Sequence, residues 1–278
     1  MKLDSPAMKL ALRWLGLVVA AFMALQLFFS ARIAVMAVVD PQSTAFQRSE
    51  AWRIATEKGS LRWHEQWQPY AQISDHLKRA VIASEDDGFA YHDGVDWDAL
   101  EKAWQKNAKA EAQAQAREQA KEQAKPQTRQ STQQHTQGNK HPGTATAKAP
   151  PAARAPKVIG GSTITQQLAK NLFLSGERNL LRKGQEFLLA FMLETLLDKE
   201  RILEIYLNNV EWGEGVFGAE AAAQHYFGKP AARLAPSEAA RLAVMLPRPK
   251  YFEKNLNSGY LASRAATIAA RMGGAELP

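Results

Sequence analysis

The sequence predicts a mainly α-helical protein behind a single N-terminal transmembrane helix. Three observations lead to this prediction. One stretch near the N-terminus is almost entirely apolar, apolar side chains recur at helical spacing through much of the remaining chain, and no stretch alternates convincingly between apolar and polar residues as a half-buried strand would. With 278 residues, the chain is long enough for one or two domains with a sizeable core.

The apolar stretch near the N-terminus is long enough to cross a bilayer as a helix. Residues 14–29 are apolar except for Gln26, and apolar residues resume at 33–39. A cleaved signal peptide with its cut near Ser30-Ala31 is the alternative, but the apolar run is longer than the usual core of such a peptide. We therefore favour an uncleaved anchor.

Positive charges before the apolar stretch predict its orientation. Lys2, Lys9 and Arg13 favour a cytoplasmic N-terminus, because basic residues beside a first membrane helix tend to stay on the cytoplasmic side. The chain has no cysteine, so neither a disulfide framework nor thiol chemistry is available. The predicted order is a cytoplasmic segment at 1–13, an anchor region at 14–39 and an exported domain at 41–278.

Most of the positive charge lies in one low-complexity insert, residues 108–157. The whole chain carries a formal net charge of +7, and this segment holds nine Lys or Arg against three Glu, which is +6 and leaves +1 elsewhere. The segment has no large apolar side chain, so we expect it to be disordered, with transient helix at 108–125. Charge confined to such a spacer gives little reason to expect a nucleic-acid partner.

Helical spacing and capping residues predict a series of helices in the exported part. The first begins with a cap at Ser74 or Asp75 and runs into Glu85. Asp96 caps a second helix, and a capping box from Thr163 to Gln166 opens a third. The remaining predicted helices cover 181–197, 201–207, 219–226 and 237–246.

Glu85 is the first candidate for chemistry. It lies four residues beyond Val81, on the same helix face as Leu77, so its carboxyl should be partly desolvated. Desolvation raises the pKa of a carboxyl toward the range that is useful for proton transfer. Phe89 would extend the same apolar wall. The alternative is that Glu85 and the two aspartates after it form a solvated loop, although the glycines and aromatic residues that follow favour a shaped turn.

Glu186 is the second candidate, in a helix that also carries Arg182 and Lys183. The i, i+4 spacing of Arg182 and Glu186 predicts a structural ion pair. The functional alternative is a cationic pocket for a phosphorylated leaving group, formed with Lys170 and Arg178 and oriented by Glu186. The spacing favours neither interpretation over the other.

The turn Gly160-Gly161-Ser162-Thr163 before the third helix offers backbone amides and hydroxyls to an anion. It lacks the Gly-Lys-Ser/Thr of a phosphate-binding loop, which disfavours nucleotide hydrolysis. His92, Asp93 and Asp96 are the residue types of a metal site, yet a lone histidine is more often a packing or hydrogen-bonding residue.

In combination, these residues resemble the monofunctional biosynthetic peptidoglycan glycosyltransferases, glycosyltransferase family 51. The resemblance runs from about Leu77 to Phe252, and five motifs follow one another in the family's order. The insert departs from the pattern, because the family usually joins its first two motifs by a short stretch that helps to dock the enzyme on the membrane. The motifs are Glu85-Asp86 through Phe89, His92, Gly94 and Asp96; Gly161-Ser162-Thr163-Ile164-Thr165-Gln166-Gln167-Leu168 to Lys170-Asn171; Arg182-Lys183-Gly184-Gln185-Glu186; Ile202 to Asn208, continuing to Lys229; and Leu242 to Pro247.

The resemblance implies a lysozyme-like, two-lobed helical domain that polymerises lipid II outside the cytoplasmic membrane. By family analogy, Glu85 takes the proton from the acceptor GlcNAc 4-hydroxyl. That hydroxyl attacks C1 of the donor MurNAc, with inversion to a β-1,4 link and release of undecaprenyl pyrophosphate. Lys170 and Arg178 would stabilise the pyrophosphate, and Glu186 would be a second acid near the donor. The implied catalytic residues are Glu85 and Glu186, and the implied substrate-binding residues are Phe89, Ser162, Thr163, Gln166, Gln167, Lys170, Asn171, Arg178, Arg182 and Lys183.

The resemblance also implies partners and a location. The expected ligands are lipid II, the growing glycan strand and membrane lipids, and other cell-wall synthesis or division proteins are candidate partners. The expected location is the bacterial inner membrane, with one pass, the N-terminus inside and the catalytic domain in the periplasm. No cofactor is firmly implied, although a divalent cation, Mg²⁺ or Mn²⁺, is compatible with the implied place of Glu186 near the donor.

Two other functions share some of these features. A lysozyme-like glycan-cleaving enzyme would share the fold and an acidic catalyst, but it has no need for Lys170, Arg178 and Lys183 around a pyrophosphate. A catalytically idle, membrane-anchored adaptor would bind cell-wall proteins through the basic insert, but both glutamates are present. The sequence has no Ser-x-x-Lys or Lys-Thr-Gly pattern, so we expect polymerisation without crosslinking.

Overall fold

The computed structural model describes residues 6–131, 162–174 and 180–278, and most of these residues are helical. The prediction of a mainly helical fold is therefore confirmed. The chain divides into two compact units, one formed by Met1–Asp96 with Ser162–Pro278 and the other by Trp97–Gly161. The helices are α1 (Pro6–Val35), α2 (Ala45–Lys58), α3 (Asp75–Glu85), α4 (Trp97–Ser131), α5 (Ile164–Phe173), α6 (Leu180–Leu196), α7 (Lys199–Asn209), α8 (Ala219–Phe227), α9 (Pro236–Met245), α10 (Pro249–Glu253) and α11 (Gly259–Arg271), with 3₁₀ turns at Tyr70–Gln72, Ala231–Arg233 and Met272–Gly274.

Helix α1 is long and apolar enough to cross a membrane, and it is the only such helix in the part of the chain that the structure describes. Its side chains are exposed along most of the helix; Leu17 and Val18, for example, are 61% and 62% exposed. Only its C-terminal part packs against the rest of the unit. There the amides of Gln26 and Gln185 on α6 exchange hydrogen bonds of 3.3 and 3.1 Å, and Ile33 is fully buried.

Helix α4 makes up the described part of the second unit. It begins directly after Asp96, as the capping prediction places it, but it continues to Ser131, beyond the transient helix expected at 108–125. The Ala, Gln, Lys and Glu residues of 108–125 are good helix formers, which accounts for the helix there. The composition of 126–131, Pro-Gln-Thr-Arg-Gln-Ser, does not explain the extension. The later part of the predicted insert, 132–157, lies outside the described residues.

The core of the larger unit forms where α3, α5, α9 and α11 bury their apolar faces. Leu77 and Val81 of α3 have no exposed surface, and neither do Leu172 of α5 and Leu242 of α9. Helix α3 packs against α9, and α9 packs against α11. Because Leu77 and Val81 recur at i, i+4, this burial fixes the rotation of α3 and therefore the direction in which its last residue, Glu85, points.

A small three-stranded sheet is present, although the sequence predicted no strand. Its strands β1 (His64–Glu65), β2 (Glu211–Gly213) and β3 (Val216–Phe217) lie in the order β1-β3-β2, with β1 parallel and β2 antiparallel to β3. The register pairs His64 with Val216 and Glu211 with Phe217, and the register of the second pair of strands shifts between Glu211 and Gly213. Strands of two or three residues are too short to display the alternation on which a sequence prediction depends.

The turn between β2 and β3 requires a glycine. Gly215 has a φ of +73°, and a Cβ atom there would lie 2.1 Å from the carbonyl oxygen of Arg62. Any other residue would therefore both strain the backbone and displace the segment that carries β1.

Candidate active site

Glu85 ends α3 at the edge of the apolar core and is partly buried. Its Oε2 accepts a 3.0 Å hydrogen bond from Nε2 of Gln167, and its Oε1 lies 3.4 Å from the hydroxyl of Ser84. Burial raises the pKa of Glu85, as the sequence predicts. The negative charge of Asp86 adds to the rise, whereas the hydrogen bonds from Gln167 and Ser84 and the positive charge of Arg264 oppose it. The net effect is a raised pKa, which makes this carboxylate a stronger base than an exposed glutamate.

A buried tyrosine supports the hydrogen bond to Glu85. The hydroxyl of Tyr206, on α7, donates a 3.0 Å hydrogen bond to Oε1 of Gln167, whose amide nitrogen donates to Glu85. Burial holds the pKa of the Tyr206 phenol well above its ordinary value, and the charges of Glu85 and Asp86 act in the same direction. The phenol therefore remains protonated and able to donate throughout the physiological pH range.

Asp86 joins the end of α3 to the start of α5. Its side chain is buried, and its two oxygens accept hydrogen bonds of 2.9 Å from the backbone amide of Ile164 and 2.8 Å from Nε2 of His92. An anion at a helix N-terminus is favourable because the first amides of the helix have no partners within it. His92 is thus a hydrogen-bonding residue here, the more frequent of the two roles weighed for it.

The second motif opens α5 with the predicted capping box. Thr163 accepts a 3.1 Å hydrogen bond from the backbone amide of Gln166, and the Gln166 side chain accepts in return from Thr163 N. The Thr163 hydroxyl donates to the carbonyl of Gly94 at 2.6 Å, and the Ser162 hydroxyl donates to Gln166 at 3.1 Å. Thr163 and Gln166 are both buried, so in this structure they hold the two motifs together and present no open surface to a ligand.

Phe89 is also internal. It has no exposed surface, and it packs edge to face against the ring of His92 while the Lys199 ammonium lies 4.5 Å from its ring centroid. Lys199 donates in addition to the carbonyl of His92 at 2.5 Å and to Glu194 at 2.8 Å. Phe89 therefore shapes the turn after Glu85 rather than facing an open cleft.

A cavity of about 430 Å³ lies next to this network. Four of the predicted substrate-binding residues line it, namely Gln167, Lys170, Asn171 and Arg182. Gln167 therefore connects the cavity to Glu85, because it lines the cavity and its amide donates a hydrogen bond to the Glu85 carboxylate. Two positive side chains close to a base that is kept partly desolvated can stabilise an anionic group while a proton is removed nearby.

Glu186 makes the ion pair that helical spacing predicted. Its carboxylate is buried, with Oε2 3.7 Å from Nη1 of Arg182 and Oε1 2.5 Å from Nζ of Lys183. Lys183 also lies 4.9 Å from the ring centroid of Phe187. The same ion pair orients Arg182, which lines the cavity. The structure is therefore compatible with both interpretations of Glu186, the structural ion pair and the cationic pocket.

The residues around Glu186 do not fit a divalent cation, because both carboxylate oxygens already face positive side chains. In the described ranges, no group of three or more His, Asp or Glu is placed to hold a metal ion. Arg178, the remaining predicted pyrophosphate residue, lies outside the described residues.

Two carboxylates that the sequence reasoning missed also line the cavity, Glu50 of α2 and Glu211 of β2. The ammonium of Lys250 contacts Glu50 and lies 3.3 Å from Oε1 of Glu211. Burial raises the pKa of Glu211 to about 7 against the opposing effect of Lys250, and the charge of Glu50 adds to the rise. No sequence spacing could have found this group, since its three members come from separate elements.

The structure thus brings a partly buried carboxylate, Glu85, next to a cavity lined by Lys170 and Arg182, in a mainly helical unit behind an apolar helix. Comparison with known proteins is more specific. The chain matches the family model described as Transglycosylase over residues 53–118 and 134–273. The chain therefore belongs to the transglycosylase family.

Two curated relatives illustrate the extent of the similarity. A protein of Burkholderia thailandensis is 48% identical over 270 residues, which cover 96% of this chain and 88% of that protein. A protein of Paraburkholderia xenovorans is 47% identical over 270 residues, which cover 96% of this chain and 94% of that protein. Both relatives are named biosynthetic peptidoglycan transglycosylase.

Proposed function

We propose that the protein is a peptidoglycan glycosyltransferase that polymerises glycan strands from lipid II. The two relatives above carry the name of this activity, and their similarity extends over nearly the whole chain. The observation that carries the proposal is the connection made by Gln167, which binds Glu85 and lines the cavity that contains Lys170 and Arg182. Glycosyl transfer from a pyrophosphate donor needs these two kinds of group together, a base for the acceptor and positive charge for the leaving group.

In the proposed mechanism, Glu85 acts as the general base. Its carboxylate takes the proton of the GlcNAc 4-hydroxyl of the acceptor, and the oxygen attacks C1 of the donor MurNAc. The new bond forms as the bond from C1 to the pyrophosphate oxygen breaks, so the anomeric centre inverts and a β-1,4 link results. The burial that raises the pKa of Glu85 makes it a stronger base than an exposed carboxylate.

Cleavage of the bond to C1 leaves additional negative charge on the departing undecaprenyl pyrophosphate. We assign its stabilisation to Lys170 and Arg182, which line the cavity, and to Arg178. Glu186 acts through Arg182, because its carboxylate orients the guanidinium and balances part of the local positive charge. Each stabilising group counts most in the transition state, when the charge on the pyrophosphate is greatest.

We further propose that α1 anchors the protein in the bacterial inner membrane, with the N-terminus inside and the catalytic unit in the periplasm. The length and exposure of α1 support a single pass. The basic residues Lys2, Lys9 and Arg13 support the orientation. Such an anchor keeps the site at the membrane in which both lipid-linked substrates lie.

The experiment that tests this function is polymerisation of labelled lipid II by the purified full-length protein in detergent. We expect wild type to make a polymer that lysozyme digests, and Glu85→Gln to be slower by at least about 100-fold, because general base catalysis contributes about 10²–10⁴-fold. Glu57→Gln is the matched control, since it removes an exposed carboxylate on α2. An active Glu85→Gln protein would refute the base assignment, and a folded wild type without polymer would refute the function.

A further inference from the structure

A second cavity, of about 460 Å³, lies where α1 leaves its apolar stretch and the chain turns toward α2. One part of its lining is apolar and comes from the last turns of α1 and the segment after them. The other part is polar and includes two arginines. The apolar lining residues used below are Phe28, Val35 and Val39, and the charged ones are Arg32, Asp40 and Arg48.

The charges around this cavity are not balanced. Its one acid, Asp40, is paired with Arg201, whose Nη2 lies 2.7 Å from Oδ1. Arg48 donates to the carbonyl and the hydroxyl of Ser43, both at 3.1 Å, and Arg32 lies over the ring of Phe173 at 5.1 Å. Within the described residues, neither Arg32 nor Arg48 has an acidic partner. Arg201 also pairs with Glu204, whose Oε2 lies 2.8 Å from Nη1, so the three arginines and two acids of this cluster carry a net charge of +1.

The position of the cavity restricts what can enter it. Its apolar residues continue the exposed surface of α1, since Phe28, Val35 and Val39 are 56%, 54% and 54% exposed. Arg32 lies in the last turn of the same helix. Arginines at the end of a membrane-spanning helix lie at the level of the lipid headgroups, with the apolar surface below them facing acyl chains.

We propose that this cavity binds one anionic membrane phospholipid, with its phosphate between Arg32 and Arg48 and the start of an acyl chain along Phe28, Val35 and Val39. The inference rests on the proposed role of α1 as a membrane anchor. A free phosphate would leave the apolar part of the lining without a partner. A zwitterionic lipid would bring a further positive group toward two arginines, so charge complementarity favours a lipid with net negative charge.

Such a site would differ from the general attraction of basic residues to a charged membrane surface. It would bind one lipid saturably at the junction between α1 and the catalytic unit. Because Arg32 contacts Phe173 of α5 and Asp40 pairs with Arg201 of α7, the lipid would be held beside the two helices that carry Gln167 and Tyr206.

The test is native mass spectrometry of the full-length protein in detergent, titrated separately with phosphatidylglycerol and phosphatidylcholine. We expect wild type to retain one phosphatidylglycerol and the double variant Arg32→Gln, Arg48→Gln to bind it at least about tenfold more weakly, because each arginine contributes a charge-assisted contact. The control is Arg13→Gln, which removes one positive charge near the other end of α1 and should leave retention unchanged. The double variant Arg32→Lys, Arg48→Lys should retain most of the binding.

Several results would overturn the proposal. Equal retention by wild type and the Arg32→Gln, Arg48→Gln protein would show that the arginines hold no lipid. Equal loss in Arg13→Gln would show that bulk charge is responsible, and equal retention of phosphatidylcholine would remove the charge argument. Displacement of phosphatidylglycerol by undecaprenyl phosphate at equal or lower concentration would assign the cavity to the substrate lipid. Lipid retention needs no turnover, so polymerisation of lipid II by the same samples tests the proposed function separately.

Discussion

Glu85 determines the expected pH dependence at the scale of a single residue. Because burial raises its pKa, Glu85 keeps its proton, and so cannot act as a base, up to a higher pH than an exposed glutamate does. We expect the rate of polymerisation to fall as the pH is lowered through this raised pKa, so the acid limb of the profile should lie above the ordinary value of 4.5. Initial rates between about pH 4.5 and 9 measure it. An acid limb at or below 4.5 would contradict the assignment.

Glu211 predicts a pH dependence of stability that is separate from activity. Its pKa is about 7 in the folded protein and should return to about 4.5 on unfolding, so its ionisation opposes folding. This free-energy cost is absent below about pH 4.5, the pKa in the unfolded chain. It grows as the pH rises from there to about 7, the pKa in the folded protein, and is complete above that pH. At about 1.4 kcal/mol per pKa unit, its upper limit is about 3 kcal/mol.

We therefore expect Glu211→Gln to raise the free energy of unfolding relative to wild type at pH 8 and to change it little at pH 4.5. Urea unfolding at both values measures the difference. Glu65→Gln, at an exposed position in β1, is the control. A stabilisation that is equal at the two pH values would show that the substitution acts through something other than the charge of Glu211.

At the scale of elements, the catalytic carboxyl depends on contacts between helices. Glu85 belongs to α3, Gln167 to α5 and Tyr206 to α7, and the two hydrogen bonds that join them point their donors toward Glu85. Donors aligned in one chain stabilise a carboxylate more than its neutral acid. Two charged groups also shift the pKa of Glu85. Asp86 raises it, as burial does, and Arg264 of α11 lowers it.

Removing the hydroxyl of Tyr206 should therefore alter the titration of Glu85 without touching substrate. We expect Tyr206→Phe to move the acid limb of polymerisation to higher pH and to lower the rate at neutral pH by about fivefold, with the KM for lipid II unchanged, since a hydrogen bond contributes about 1 kcal/mol. Tyr226→Phe is the matched control, because Tyr226 donates to the carbonyl of Trp212 at 2.9 Å. An equal shift in both variants, or none in Tyr206→Phe, would exclude this role.

At the scale of the whole molecule, α1 should decide where the protein is found. The double variant Leu17→Arg, Val18→Arg places two charges in the exposed apolar stretch, each costing about 2.5–3.5 kcal/mol at the centre of a membrane helix. We expect wild type to remain in the membrane after an alkaline carbonate wash and the double variant to be lost from it. Leu61→Arg, at an exposed position outside α1, should behave as wild type. Equal retention of the double variant would show that α1 does not span the bilayer.

Much of the fold was predictable because its signals are local. Asp75–Glu85 begins at the predicted Ser74 cap, the capping box from Thr163 to Gln166 opens α5, and helices α6 to α9 agree with prediction to within about two residues. Helices α2, α10 and α11 were not predicted. The three-stranded sheet was missed because its strands pair across distant segments and are too short to show a period. The length of the helix through the low-complexity segment was underestimated, because a helix without an apolar face gives no periodic pattern from which its end could be located.

The sequence by itself determined the apolar helix, the order of the motifs and the identity of Glu85 as the leading candidate, because each depends on spacing within a short segment. Only the tertiary structure decided what surrounds that carboxyl. Gln167 and Tyr206 reach it from α5 and α7, and Glu211 meets Lys250 across the cavity lining. Burial and long-range contacts set the pKa and the hydrogen-bonding partners of a group, and neither can be obtained from the spacing of residues along the chain.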